Sequence, residues 1–381
     1  MQKSKVSLDI TSFNPAKIGK ILIRVNNWIG DVVMISPAMR AIRDHFPNAT
    51  IAILAKTWVV DTLRGNPFYD ELIEYDNLGK HAGLAGRFRV IKELRERRFD
   101  CAILFQKAFE AALFSFLAGI PLRVGYDTDR RGLLLSHKIR ETKEARGKHH
   151  VEYFLDIVRS IGCQVKDTSL YFHIGEEERK KASKVFEKEG LKDGRPVVVI
   201  NPGASKVERQ WHPDRFAALA DALSENAGAH IVITGGKIDK NAARAIKGKM
   251  KDQALDLTGR LTIKEFGAFT GRCSLFIGND SGPMHVAAAV GTPVVALFGP
   301  GIPEKTAPFV DPSRYRAITK RFQCAPCRQN FFRECKPSPS GKPFCIEDIT
   351  VEEVLEASLT MLSSIGKMRE KSSGEPDRIK Q

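Results

Sequence analysis

The stretch that decides the fold is GNDSGPMHVAAAVGTPVVALFGP at residues 278–300. An apolar segment at residues 275–277 precedes it, and within it a polar turn leads to a helix of small residues at 283–290 and an apolar segment at 293–298. The first amides of such a helix lack intrahelical partners and lie at the positive end of its dipole, so they can bind phosphate. The pattern predicts a strand-helix-strand unit, either with an anion site or with a simple cap at Asp280 or Ser281.

The same alternation of strand and helix patterns runs through most of the chain. Apolar strand patterns precede helical patterns in an N-terminal half, and the alternation restarts at residues 197–201 after a charged stretch near 170–195. This predicts an α/β fold with parallel sheets in two halves. Ligands of such folds bind at the carboxyl ends of the strands, so the loops that follow strands are the candidate sites.

Composition limits the partners. Lys and Arg number 60 against 45 Asp and Glu, a net charge of +15, and 43% of the residues are hydrophobic. This length and apolar fraction are sufficient for two domains with hydrophobic cores. The excess of positive charge favours an anionic partner. We expect no signal peptide in the first twenty residues and no membrane span, because the longest apolar run, residues 286–298, is broken by Gly291 and Pro293. The protein is expected to be cytoplasmic.

Asp31 is the candidate catalytic residue of the N-terminal half. It follows the strand pattern at residues 21–25 and the turn residue Gly30, where a helix begins. Two interpretations stay open: Asp31 is only the N-cap of that helix, or its carboxylate acts as a general base at the carboxyl edge of the sheet.

Loops of the C-terminal half carry groups suited to a pyrophosphate. The loop at residues 202–213 offers amides, Ser205, Lys206 and Arg209. Another loop that follows a strand, at residues 234–237, contains Gly236 and Lys237. Hydroxyls, amides and a guanidinium are the donors that phosphate oxygens accept. Neither loop has the dinucleotide or Walker pattern, which disfavours simple NAD-binding or ATPase functions.

The cysteines fall into two groups. Cys101, Cys163 and Cys273 are isolated and are expected to be small buried hydrophobes. Four others lie in one proline-containing segment with a C-x2-C spacing at its start: Cys324, Cys327, Cys335 and Cys345. A cytoplasmic protein rarely keeps disulfides, so these residues are either reduced thiols in a packed loop or the ligands of a structural zinc ion.

Four motifs taken together carry a family resemblance. They are Asn27-Trp28-Ile29-Gly30-Asp31, Asn201-Pro202-Gly203-Ala204, Arg209-Gln210-Trp211-His212-Pro213 and Asn279-Asp280-Ser281-Gly282-Pro283-Met284-His285. In this order the sequence resembles the ADP-heptose:lipopolysaccharide heptosyltransferase family over roughly residues 20–365. The resemblance implies a GT-B fold, with two Rossmann-like domains facing across a cleft. It implies an acceptor domain at 1–172, a nucleotide-sugar domain at 173–348, a helix at 349–365 that returns to the first domain, and a disordered tail at 366–381.

The resemblance also assigns roles to residues. Asp31 matches the base that deprotonates the acceptor hydroxyl in an inverting transfer from ADP-heptose, and no cofactor is required for the chemistry. The implied donor-binding residues are Ser205, Arg209, Lys237, Asp280, Ser281, Gly282, Met284 and His285. Lys237 stands where some members of the family carry Glu.

Basic residues cluster in the N-terminal half. Residues 123–148 contain eight, and Arg123, Arg130 and Arg131 are the proposed contacts to an acidic acceptor, which the family resemblance identifies as the Kdo–lipid A inner core of lipopolysaccharide. The helix expected at 87–98 adds six basic residues, with Phe88, Ile91 and Leu94 on its inner side. This set also suits peripheral contact with the inner face of the cytoplasmic membrane. A glycosyltransferase with another donor or acceptor is the alternative. A nucleic-acid-binding protein is disfavoured, since no nucleic-acid-binding module is recognisable.

Overall fold

The computed structural model describes residues 13–324 and 327–373, and the chain divides into two compact units between His173 and Ile174. The elements of the first unit are β1 (Lys20–Arg24), α1 (Ile29–His45), β2 (Thr50–Lys56), α2 (Thr57–Leu63), β3 (Glu71–Tyr75), α3 (Gly83–Glu96), β4 (Cys101–Leu104), α4 (Phe109–Leu117), β5 (Leu122–Tyr126), β6 (His137–Ile139), α5 (Lys143–Gly147) and α6 (His150–Arg159).

The strands of the first unit form one six-stranded parallel sheet. Its order is β3-β2-β1-β4-β5-β6, so the chain moves outward from β1 in one direction and then from β4 in the other. Because all strands are parallel, every loop that follows a strand lies at the same edge, here called the carboxyl edge. The loops after β1 and β4 are neighbours there, and such a reversal of strand order is where α/β folds bind ligands.

The second unit repeats this arrangement. Its elements are α7 (Glu176–Lys188), β7 (Val197–Asn201), α8 (Pro213–Ala227), β8 (His230–Ile233), α9 (Lys240–Lys247), β9 (Leu255–Asp256), α10 (Ile263–Thr270), β10 (Leu275–Asn279), α11 (Gly282–Ala289), β11 (Val294–Phe298), α12 (Pro303–Thr306), β12 (Tyr315–Thr319), α13 (Phe344–Glu347) and α14 (Val351–Ser373). The sheet order is β12-β11-β10-β7-β8-β9, again all parallel, which makes β10, β7 and β8 adjacent. The predicted α/β fold class is confirmed.

Apolar periodicity explains how the helices pack on the second sheet. Helix α8 buries Phe216, Leu219, Ala220 and Leu223, at the three- and four-residue spacings of one helical face. Helix α14 packs against α8 and continues to Ser373, beyond the expected end near residue 365. Residues 374–381, the rest of the predicted disordered tail, lie outside the described residues. Burial of each large apolar side chain stabilises the fold by about 1.5–3 kcal/mol.

One prediction about α3 is wrong. Phe88 was expected on its inner side, but this side chain is 67% exposed. The buried face consists of Gly86, Val90, Ile91 and Leu94. Phe88 precedes Val90 by two residues, which is about 200° around a helix of 3.6 residues per turn, so the two side chains point to opposite sides.

Two further expectations concern burial and membrane spans. Cys101, Cys163 and Cys273 are buried, as predicted. Within residues 13–324 and 327–373, no helix is both long and apolar enough to cross a bilayer.

Candidate active site

The carboxylate of Asp31 is held at the carboxyl edge of the first sheet. Asp31 lies in the first turn of α1, and Trp28 occupies the N-cap position, so the interpretation of Asp31 as the N-cap is wrong. Asn26 Nδ2 donates a hydrogen bond of 3.0 Å to Asp31 Oδ2. Asp31 Oδ1 lies 3.5 Å from His150 Nδ1, and the Asp31 side chain keeps 17% of its surface exposed. A positioned carboxylate that solvent still reaches can accept a proton from a substrate.

His150 is a site residue that the sequence analysis did not find. It is the first residue of α6, which packs against α1 and thereby brings the imidazole to Asp31. The neighbouring His149 occupies the N-cap position, where its ring nitrogen accepts a hydrogen bond from the amide of Val151. Two adjacent histidines at the start of a helix were the available signal, but only the packing of α6 on α1 shows which of them meets the carboxylate.

The three arginines proposed to contact an acceptor occupy different environments. Arg131 is fully buried and donates to backbone carbonyls of the loops after β4 and β5, and burial lowers its pKa to about 10. Arg123 donates to three nearby carbonyls and lies over the ring of Phe116. Arg130 is exposed. Arg123 and Arg131 therefore stabilise the backbone around them through hydrogen bonds to carbonyl groups. Of the three arginines, Arg130 is the exposed one.

Glu141 organises a second polar cluster near the carboxyl edge. It accepts a hydrogen bond of 2.6 Å from the Tyr153 hydroxyl and pairs with Lys107 at 3.2 Å and Arg146 at 2.6 Å. Burial alone would raise the pKa of Glu141, but these hydrogen bonds and the charge of Lys107 outweigh it and lower the pKa. Lys107 follows β4, the neighbour of β1, so its ammonium adds a cation to the edge that carries Asp31.

In the second unit, two buried asparagines tie three loops together. Asn279 accepts a hydrogen bond of 2.9 Å from the Trp211 amide and donates one of 2.7 Å to the Pro202 carbonyl. Asn201 Nδ2 donates to Thr234 Oγ1 at 3.2 Å. Buried amides with satisfied hydrogen bonds fix the geometry around them. The loops after β7, β8 and β10 are therefore held in register at one edge.

Arg209 and Asp280 join the loops after β7 and β10 directly. Their side chains form a hydrogen-bonded ion pair and are only 20% and 7% exposed. The Nε atom of Arg209 is buried, and within the described residues it has no hydrogen-bond partner. The guanidinium therefore keeps donor capacity for an anion, as expected from its planar array of N–H groups.

The start of α11 lies next to Asp280 in the chain. Ser281 is the N-cap residue and makes no side-chain capping hydrogen bond, so of the two predicted caps Ser281 is confirmed and Asp280 is wrong. Gly282 begins the helix, while Met284 and His285 are buried in its first turn. The Ser281 hydroxyl is buried and unpaired within the part of the chain described. This helix start places the Ser281 hydroxyl beside the Arg209 guanidinium, while Pro283 has no amide proton and the Met284 amide donates to the Ser281 carbonyl.

The remaining predicted donor contacts lie on the neighbouring loops. Ser205 and Lys237 are both exposed. Asp239, which the sequence analysis missed, accepts a hydrogen bond of 2.8 Å from the Gly236 amide, and burial raises its pKa. A Cβ atom at Gly203 would come within 2.6 Å of an Asp239 carboxyl oxygen, and one at Gly235 would come within 2.8 Å of the Asp239 Cβ atom and 3.0 Å of its carboxyl group. Glycine at both positions thus lets the loops after β7 and β8 pack around the Asp239 side chain.

The segment around Cys345 supports the Arg209 loop. Trp211 Nε1 donates to the Ile349 carbonyl at 2.9 Å, and Lys342 Nζ donates to a backbone carbonyl of the Arg209 loop at 2.6 Å. His212 Nε2 and a Glu347 oxygen are 2.7 Å apart. The position of Arg209 therefore depends on contacts made by residues 342–349.

The four-cysteine segment shows clustering without a formed metal centre. All four thiols are partly buried. Burial, together with smaller contributions from the thiols of Cys327, Cys324 and Cys335, raises the pKa of Cys345 to about 12. The four side chains are therefore near one another. Within residues 13–324 and 327–373, no group of three or more His, Cys, Asp or Glu side chains is arranged to hold a metal ion.

The chain has two α/β units, each built on a parallel sheet. The first positions the Asp31 carboxylate, and the second has loops with donors suited to phosphate, which together indicate a nucleotide-sugar glycosyltransferase of the GT-B class. Residues 87–336 match the model of glycosyltransferase family 9 (heptosyltransferase). Since this is more than half of the chain, the protein belongs to that family and is a heptosyltransferase.

Solved and curated relatives agree with this assignment. The chain is similar to lipopolysaccharide heptosyltransferase 2 of Escherichia coli K12, with 29% identity over 79% of this chain and 88% of the relative. A family 9 glycosyl transferase from Veillonella parvula matches with a TM-score of 0.80 and 25% identity, covering 91% of this chain and 98% of that one. The E. coli ADP-heptose lps heptosyltransferase II structure matches with a TM-score of 0.74 and 26% identity over 91% and 99% of the two chains.

Proposed function

We propose that this heptosyltransferase transfers heptose from ADP-heptose to the inner core of lipopolysaccharide, with inversion at the anomeric carbon, at the cytoplasmic face of the inner membrane. The observation that carries the proposal is the Asp31 carboxylate held by Asn26 and His150 at the end of β1. The substrates are those in the names of the E. coli relatives, which are a lipopolysaccharide heptosyltransferase and an ADP-heptose lps heptosyltransferase.

Asp31 acts as the general base of the transfer. The acceptor hydroxyl oxygen attacks the anomeric carbon of the heptose, and its proton passes to the Asp31 carboxylate. The bond between that carbon and the ADP oxygen breaks, and the electron pair leaves with ADP. Asn26 fixes one carboxylate oxygen, and His150 lies beside the other.

The second unit binds ADP and stabilises the charge that develops on it. Arg209 and the first amides of α11 would donate to the pyrophosphate oxygens, and Ser205 and Lys237 lie on neighbouring loops. Donors that are already held in place stabilise a developing anion without reorganisation. These groups supply the leaving-group stabilisation, so the reaction itself needs no cofactor. Asp280, Ser281, Gly282, Met284 and His285 would complete the donor site.

Cations at the carboxyl edge of the first sheet are proposed to bind the anionic acceptor. Arg130 is exposed, and Lys107 lies near the loop of Asp31 although Glu141 partly neutralises it. Arg123 and Arg131 contribute by holding the loops on which these cations lie. Carboxylated sugars and phosphates of the inner core are the anions that such a set would recognise.

The four-cysteine segment is proposed to bind one structural zinc ion through Cys324, Cys327, Cys335 and Cys345. Four neighbouring thiols in one short segment match the ligand number and chemistry of a closed zinc site. Zinc binding would require these side chains to move closer together, because among the described residues no group of side chains is arranged to hold a metal ion. By holding the segment that contacts the Arg209 loop, zinc would support donor binding without entering the reaction.

A donor comparison tests the proposed substrates. The purified chain would be incubated with a heptosyl-Kdo–lipid A acceptor and, in parallel, ADP-heptose, ADP-glucose or UDP-glucose, and product mass would be measured. We expect one added heptose with ADP-heptose and no transfer from the other donors. If sugar were transferred only from another donor, the assignment of ADP-heptose as the donor would be wrong. If heptose were transferred only to a different acceptor, the assignment of the acceptor would be wrong.

A further inference from the structure

Three large apolar side chains lie exposed together in the chain after β3. Leu78 is 81% exposed, Leu84 71% and Phe88 67%. Leu84 and Phe88 are four residues apart on α3, so they share one helix face one turn apart. We call Leu78, Leu84 and Phe88 the apolar patch. The buried face of α3 packs inward, which leaves Leu84 and Phe88 on the outer side of the helix, and Leu78 lies in the turn that precedes it.

The patch lies at the carboxyl edge of the first sheet, the edge that carries Asp31. It belongs to the connection after β3 and to the first turns of α3, and in a parallel sheet such connections leave at the same edge as the loop after β1. Its backbone is held in place: Arg89 donates to the Lys80 carbonyl at 2.5 Å, and Lys80 pairs with Glu93 at 2.6 Å. The patch is therefore a fixed surface of the first unit.

Basic residues outnumber acidic ones around the apolar patch, although Lys80, Arg87 and Lys92 pair with Glu93, Glu110 and Glu96. Helix α3 contains four basic residues and two acidic ones, and Lys80 adds a further exposed cation. Lys92 continues the exposed stripe of Leu84 and Phe88 by another turn. Apolar and aromatic side chains ringed by Lys and Arg are the composition of surfaces that sit in the headgroup region of anionic membranes.

We propose that the apolar patch and the cations of α3 form the surface that docks this protein on an anionic phospholipid bilayer. Leu78, Leu84 and Phe88 enter the region between headgroups and acyl chains, and the surrounding Lys and Arg side chains contact lipid phosphates. The inference rests on the proposed function in one respect: a lipid-anchored acceptor gives a reason for docking at the edge that carries Asp31.

Vesicle binding tests the surface with the full chain. Wild type, the double variant Leu84→Ser/Phe88→Ser and the control Phe116→Ser would be sedimented with phosphatidylcholine vesicles with and without phosphatidylglycerol. Phe116 is a matched control because it is also exposed, at 45%, but lies at the opposite end of α4 from the carboxyl edge. We expect wild type to bind the anionic vesicles, the double variant to bind at least about tenfold more weakly, and the control to stay within about twofold of wild type.

Activity separates docking from catalysis. The double variant is expected to lose transfer to acceptor embedded in anionic vesicles while keeping transfer to the deacylated, water-soluble acceptor. If no heptose is transferred to either acceptor by wild type but vesicle binding follows the pattern above, the proposed function fails and the docking surface stands. The docking surface is overturned if wild type does not bind anionic vesicles or if the double variant binds as wild type does. It is also overturned if the double substitution changes only self-association, measured by sedimentation velocity, since the occupant would then be a second copy.

Discussion

The pairing of Arg209 with Asp280 allows a contact with the pyrophosphate to be separated from a contact that stabilises the loops. Replacing Arg209 by Ala removes a charged donor from the proposed pyrophosphate site. A hydrogen bond to a charged group is worth about 1.5–3 kcal/mol, which corresponds to about a ten- to hundredfold weaker affinity for ADP. The same substitution removes the ion pair between Arg209 and Asp280, whose side chain is only 7% exposed.

Loss of this ion pair should also destabilise the second unit. Removing one partner of a fully buried pair costs about 3–5 kcal/mol, and because Arg209 is 20% exposed we expect about 1–3 kcal/mol here. In Arg209→Ala/Asp280→Asn the buried charge that Arg209 balanced is also removed, so most of that stability should return. ADP affinity should not return, because the guanidinium is still missing. Asp280→Asn alone keeps the guanidinium, and its affinity for ADP should match or exceed that of wild type.

Calorimetric titration with ADP and urea unfolding of the four proteins would measure both effects. Recovery of ADP affinity in the double variant would refute the reasoning, since it would show that Arg209→Ala acts only by disordering the loops. Equal ADP affinity in wild type and Arg209→Ala would remove Arg209 from the donor site.

Three further outcomes are expected. Cys324→Ser should lower bound zinc, about one equivalent in wild type purified without metal affinity, and should lower the melting temperature; metal-free wild type would contradict the zinc site. His150→Gln should lower kcat more than it changes acceptor KM and should alter the pH dependence of kcat; an unchanged pH profile would make His150 purely structural. Burial alone would raise the pKa of Glu347, but hydrogen bonds from Ser340 and His212 outweigh it and lower the pKa to about 2. Because this lies below the usual value of 4.5, Glu347 stabilises the fold above about pH 4.5, and this contribution is lost as the pH falls towards 2. Thermal melts from pH 7 to pH 3 should show a smaller acid loss for Glu347→Gln than for wild type.

The sequence predicted the parts of the fold that depend on local pattern. Strands β7, β10 and β11 are fully buried, and a strand buried on both faces has a continuous apolar run that is easily recognised. The loops that follow such strands were found for the same reason. The sequence patterns did not predict β5, β6, β9 or β12. No residue of β6, β9 or β12 is fully buried, and β5 is apolar over only part of its length because it contains Arg123 and Gly125.

The parts of the candidate site that depend on long-range contacts could not be predicted from the sequence. The meeting of Asp31 with His150 depends on how α6 packs against α1, and no spacing within either helix encodes it. Arg131 was grouped with exposed arginines because charge is usually solvated, yet its guanidinium is buried against backbone carbonyls. Phe88 shows the converse: an aromatic residue in a helix was assigned to the core, although the buried face of that helix consists of Gly86, Val90, Ile91 and Leu94.

The most direct test of the central claim is the rate of heptose transfer by Asp31→Asn, measured together with its affinity for ADP. Glu144→Gln serves as the matched control, because Glu144 is an exposed acid in the first turn of another helix of the same unit. Loss of a positioned base typically lowers the rate about a hundredfold to ten-thousandfold. We predict such a loss for Asp31→Asn with ADP affinity unchanged, and a near-wild-type rate for Glu144→Gln. A near-wild-type transfer rate for Asp31→Asn would contradict the assignment of Asp31 as the base.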